Sequence, residues 1–101
     1  MNRQEYLLSC LSEEASEVIK DVCKSQRFGM NSVNPYDKNK VKNKELILNE
    51  IIDFLAVAEM LVEEGIIDDF NTLESVYEKE AKKEKVEKYI KQSIKIGTLL
   101  S

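Results

Sequence analysis

The stretch LNEIIDFLAVAEML, Leu48 to Leu61, decides how this chain is read. It is apolar enough for a buried helix, yet it carries Glu50 and Asp53. At about 3.6 residues per turn, Glu50 shares a face with Leu46, Phe54, Val57 and Leu61. Asp53 lies one turn on, beside Met60. Two carboxylates therefore occupy ground where a core belongs.

The flanking residues define the element. Asn43 is an N-cap candidate with Glu45 in the first turn, and Gly65 is a C-terminal stop. Together they predict a helix over about Lys44 to Glu64. Leu48, Ile51, Ile52, Leu55 and Val62 point away from the Leu46–Val57–Leu61 face, so this helix is apolar nearly all round. One short chain cannot easily cover both of its sides. A second copy can, and the expectation is a homodimer or homotetramer.

Upstream, Leu7, Leu11, Val18 and Val22 form a stripe widened by Leu8, Ala15 and Ile19, predicting a first helix over about Arg3 to Arg27. The segment between, RFGMNSVNPYDKNKVKN (Arg27 to Asn43), holds Gly29, Pro35 and four Asn with no helical period, and reads as a loop. A loop this long in so small a domain is often functional, although a plain connector fits equally well. Downstream, Asp69 or Asn71 is the N-cap candidate for a third helix over about Thr72 to Ile96, ending at Gly97. Val86, Ile90 and Ile94 make its stripe, with Tyr89 beside them. The reading is all-α: an antiparallel helical hairpin plus a third helix, one domain over residues 1–101, assembling into an oligomeric helix bundle.

Composition agrees and excludes much else. Of 101 residues, 43% are hydrophobic and 34% charged, which fits a folded helical chain and not a disordered one. The net charge of −4 argues against nucleic acid as the main partner. No apolar run reaches the length needed to span a bilayer. The start, MNRQEYLLSCLSEEASE, turns acidic too early for a secretory signal, so a cytoplasmic protein is expected. Cys10 and Cys23 read as reduced core thiols. There is no His, which removes His-based catalysis and the common zinc sites. Carboxylates, lysines or a hard metal must carry any chemistry.

The first helix supplies further acids. EEASE gives Glu13, Glu14 and Glu17, with Glu14 at the border of the apolar stripe. Glu14–Glu17 and Glu50–Asp53 are both i, i+3 pairs on one helix face. Glu14 and Glu17 stand roughly 20 and 15 Å before the end of the first helix. Glu50 and Asp53 stand roughly 9 and 14 Å past the start of the second, at about 1.5 Å per residue. An antiparallel hairpin brings these levels close together. Carboxylates gathered there must take up protons, pair with Lys or Arg, or bind divalent cations. Oxygen ligands without His or thiolate favour Mg²⁺ or Mn²⁺. Such a centre suits a nucleotide polyphosphate and metal-activated water. An ExxE pair on its own is usually a solvated face. Glu50 and Asp53 differ, because their face is otherwise apolar.

EEASE followed by NEIID resembles the EExxE…ExxD signature of the MazG-like, all-α NTP pyrophosphohydrolase superfamily, which includes the dimeric dUTPases and phosphoribosyl-ATP pyrophosphatase. The RFG loop and the tail AKKEKVEKYI are also similar to small phage and bacterial members, so the resemblance covers about residues 3 to 97. It implies helical hairpins that dimerise or tetramerise. It also implies cleavage of nucleoside triphosphates between the α and β phosphates, giving monophosphate and pyrophosphate. Carried over, Glu14, Glu17, Glu50 and Asp53 would be the Mg²⁺ ligands, with Glu13 as the first acid of the motif. The loop between the motif halves is longer than in many relatives. Lys82 and Lys85 lie where relatives place basic or polar residues near phosphates, although a solvated face of i, i+4 pairs also accounts for them.

Arg27 and Lys24 are further phosphate candidates at the mouth of the loop, and Phe28, Tyr36 and Phe54 are candidates to stack on a base. Two other readings compete with the hydrolase. One is a module of the same fold that binds nucleotides or a partner without cleaving them. The other is a structural oligomer whose acids pair with Lys across the interface.

Overall fold

The computed structural model describes residues 1–100. It is all-helical, in the order α1 (Arg3–Phe28), α2 (Asn43–Glu63) and α3 (Leu73–Ile96). No helix among the described residues is long and apolar enough to cross a membrane. The chain divides into two compact units, Met1–Asp68 and Asp69–Ser101.

The first unit is a hairpin of α1 and α2. Asn2 opens α1, its side chain accepting from the Glu5 amide at 2.8 Å. Gly29 closes it at φ 100° and ψ 150°, a conformation left to glycine. At the open end Arg3 grips Glu64 through two parallel bonds of 2.8 Å, which fixes the two helices as antiparallel.

The seam between them changes character along its length. Near the open end it is apolar: Leu7, Ala58 and Leu61 are buried, and Leu61 is fully enclosed. Toward the turn the buried residues are Asp21, Ser25 and Asn43. Burying polar groups at that end forgoes hydrophobic stabilisation there. The outer face of α2 is as expected: Leu48, Ile51, Ile52 and Leu55 are exposed.

Three sequence expectations are corrected. Asn43 does not cap α2. Lys42 holds the N-cap position, its amide held by the Glu45 carboxylate at 3.3 Å. Asn43 instead gives its side-chain amide to the Gly29 carbonyl at 2.9 Å, a loop contact that outcompetes capping. Neither Asp69 nor Asn71 caps α3. Thr72 does, exchanging hydrogen bonds with Ser75, while Asp69 closes a local turn onto the Asn71 amide. Cys23 is exposed and Cys10 only half-buried, so neither is a core thiol; both are free. Cys23 lies about 200° round α1 from buried Asp21, on the side opposite the seam.

The second unit carries α3, closed by Gly97 in the left-handed conformation. Its expected stripe is faint: Ile90 is half-buried and none of its residues is buried.

The loop between α1 and α2 is structured. Asp37 accepts from the amides of Asn39 and Val41 at 3.0 and 3.1 Å, and these two bonds hold its carboxyl below the usual aspartate range. Val33 bridges to Lys42, and the amides of Asn43 and Lys44 donate to the carbonyls of Ser32 and Met30. The loop is thus folded back onto the first turn of α2. Its reversal depends on Gly29. A Cβ there would sit 3.3 Å from Ser32 Oγ, in a backbone region that only glycine occupies easily. Gly29→Ala should therefore destabilise the protein by about 1–3 kcal/mol, read by urea denaturation.

Candidate metal centre

Helical geometry sorts the acids of α1. From Glu14 to Glu17 the helix turns about 300°, whereas from Glu14 to Asp21 it returns to within about 20° of its starting direction. Glu14 and Asp21 therefore share the seam, and Glu17 stands at its edge. Glu14 is half-buried, and its carboxylate faces those of Glu50 and Asp53 from α2. One oxygen from each of the three lies within 4.8 Å of the others. Glu17 is outside this triad, its Oε2 3.9 Å from Lys20 Nζ. Glu13 is exposed.

The electrostatics centre on Glu50. Its partial burial, then the charges of Asp53, Glu14 and Asp21, and finally a hydrogen-bonding approach to Glu14, push its carboxyl above the usual glutamate range. No Lys or Arg appears among these influences. Lys24 Nζ lies 3.7 Å from Asp21 Oδ1.

Asp21 is the acid that sequence reasoning missed. It is 5% exposed, and its charge reaches Glu50. The signal was present: seven residues separate it from Glu14, the repeat that keeps a side chain on one seam. It was hidden because the acid motif ends at Glu17.

One helical turn from Glu50 toward the hairpin turn, a cavity of about 500 Å³ opens. Lys24, Arg27 and Phe28 of α1, Val33 of the loop, and Asn43 and Leu46 of α2 are among its walls. The Arg27 guanidinium lies over the Phe28 ring, 5.5 Å from its centre. Tyr36 is outward, 92% exposed, and Phe54 is half-buried on α2. Lys82 and Lys85 lie on α3 in the second unit, where Lys85 Nζ sits 6.0 Å from the Tyr89 ring centre.

These three carboxylates, Glu14 and Glu50 half-buried and Asp53 exposed, form an all-oxygen donor set from two helices of the kind that suits a small hard cation. No family model, no curated protein and no solved structure matches this chain.

Proposed function

We propose that this chain is a Mg²⁺-dependent nucleoside triphosphate pyrophosphohydrolase of the MazG-like kind, with Mn²⁺ as the alternative ion. It converts a (d)NTP and water to (d)NMP and pyrophosphate in the cytoplasm. The observation that carries this reading is the convergence of Glu14, Glu50 and Asp53 from two helices, with Glu50 held above its ordinary range. These three residues would hold the ion, and Glu17 would join them on leaving Lys20. Bound there, Mg²⁺ supplies charge to phosphate oxygens and makes a coordinated water more acidic.

The chain's own residues supply the rest. The antiparallel pairing of α1 and α2 fixes the carboxylates relative to one another, so their arrangement needs little reorganisation when substrate arrives. Lys24 and Arg27 line the cavity and would offer positive charge to phosphates lying between the acids and the turn. Glu13, exposed beside Glu14 in sequence, would support the site or its water. Lys82 and Lys85 remain candidates for phosphate contacts from α3. The exposed Leu48, Ile51, Ile52 and Leu55 are the surface that a second copy would cover in a homodimer or homotetramer.

A non-catalytic nucleotide-binding module of the same fold is the alternative, favoured by the outward pairing of Glu17 with Lys20. A panel of NTPs and dNTPs, with and without Mg²⁺, separates the two. Release of pyrophosphate that depends on Mg²⁺ is the expected result. Binding of triphosphates with no pyrophosphate formed would turn the assignment to the module.

A further inference from the structure

We infer that the cavity at the hairpin turn is a base-binding compartment, in which Asn43 selects bases that present an exocyclic amino group, cytosine or adenine. The inference rests on the nucleotide reading of the neighbouring acids and adds which nucleotides are taken.

Asn43 is 5% exposed, yet it is not spent on capping its helix. Its backbone amide donates to Ser32 and its side-chain Nδ2 to Gly29, both at 2.9 Å. Those bonds fix the orientation of the amide, because a flip would set Oδ1 against the Gly29 carbonyl. Nδ2 gives one of its two hydrogens to Gly29, and no hydrogen bond among the described residues reaches Oδ1. No enclosed side-chain nitrogen or oxygen of the described residues lacks a partner. An acceptor left without one is therefore not enclosed, and Asn43 is one of the residues that line the cavity. An oriented acceptor with no protein partner, on a residue that lines a cavity, is open to a donor from a ligand.

The remaining walls describe that ligand. Phe28 is 64% exposed and carries the Arg27 guanidinium over its ring, so the two offer flat surfaces of the kind on which bases stack. Val33, Pro35 and Leu46 add apolar wall. A volume of about 500 Å³ admits a pyrimidine or a purine. Leu46 lies one turn, roughly 6 Å, from Glu50 along α2. A nucleotide whose phosphates lie at the acids thus has its base at the turn, with Lys24 alongside the intervening phosphate.

The matched pairs CMP against UMP, and AMP against IMP, differ at the position that matters: an amino group in one, a carbonyl oxygen in the other. Titration calorimetry on the whole chain should show the amino member of at least one pair binding about tenfold more tightly, the weight of one hydrogen bond to an oriented acceptor. Which pair discriminates reports whether cytosine or adenine is taken. Asn43→Ala should erase that difference. Because it also removes the Gly29 bond, its fold is checked by circular dichroism. Phe28→Ala, at an exposed position, is the second variant and should weaken the preferred ligand about tenfold or more through lost stacking. Equal binding within both pairs, or unchanged binding in Phe28→Ala, overturns the inference. The outcome is separable from the hydrolase reading, since monophosphates are bound here and not turned over. Discrimination without any triphosphate cleavage keeps the base compartment and removes the hydrolase. Cleavage without discrimination does the reverse.

Discussion

Glu50→Gln and Asp53→Asn should each lower pyrophosphate release from triphosphates by at least about a hundredfold, the loss expected when several kcal/mol of charge stabilisation is removed. Each change keeps the size of the side chain and deletes one negative oxygen from the triad that Glu14 completes. Circular dichroism should be unchanged, because neither residue belongs to the apolar end of the seam, where Leu7, Ala58 and Leu61 hold the helices together. Glu17→Gln should have a smaller effect than either, since Glu17 is engaged with Lys20 at the rim. Near-normal turnover in both Glu50→Gln and Asp53→Asn would remove the acids from the chemistry. A larger loss in Glu17→Gln would mean that the side chain leaves Lys20 when substrate binds.

The helices were legible because their punctuation is local. Gly97 stops α3 through a backbone angle local to it, and the apolar period fills the intervals, although Thr72, the cap of α3, was passed over for its neighbours Asp69 and Asn71. The meeting of Glu14 with Glu50 and Asp53 was legible for a related reason: two long helices joined by one loop have few ways to pair, and rise per residue then sets the levels. Asn43 and Asp21 were not legible. Asn43 is a good capping residue by local rules, and only the return of the loop onto α2 diverts its amide to Gly29. Asp21 reads as a solvated charge until the seam is known to run Glu14, Asp21 and Ser25 along one face. The fate of Cys23 turned on the same point. Its environment depends on which side of α1 meets α2, and that is a tertiary fact.

Metal should stabilise this protein strongly, and Glu50→Gln should change the metal-free and metal-loaded states in opposite directions. In the metal-free chain Glu50 titrates above the ordinary glutamate value of 4.5. A carboxyl raised on folding stabilises the fold below its unfolded value, and that contribution is lost as the pH climbs through the raised one. Asp37 and Glu64 run the other way. The Asn39 and Val41 amides lower Asp37, and the Arg3 hydrogen bond lowers Glu64. Their stabilisation is present above the ordinary range and fades as the pH falls through their lowered values. At neutral pH the ionised Glu50 is thus a local cost, and Glu50→Gln should raise the Tm of the metal-free protein. Mg²⁺ or Mn²⁺ relieves the same congestion by binding the folded state. At a hundred times Kd that linkage is worth about 2.7 kcal/mol. For a chain of this size each kcal/mol moves Tm by roughly 4–8 °C. Thermal melts at pH 7 should therefore show a large metal-dependent rise in the native chain, and little or none in a Glu50→Gln variant that starts higher. A native Tm indifferent to both ions would leave three crowded acids without a partner. A Glu50→Gln protein less stable than the native metal-free chain would mean that Glu50 supports the hairpin instead of straining it.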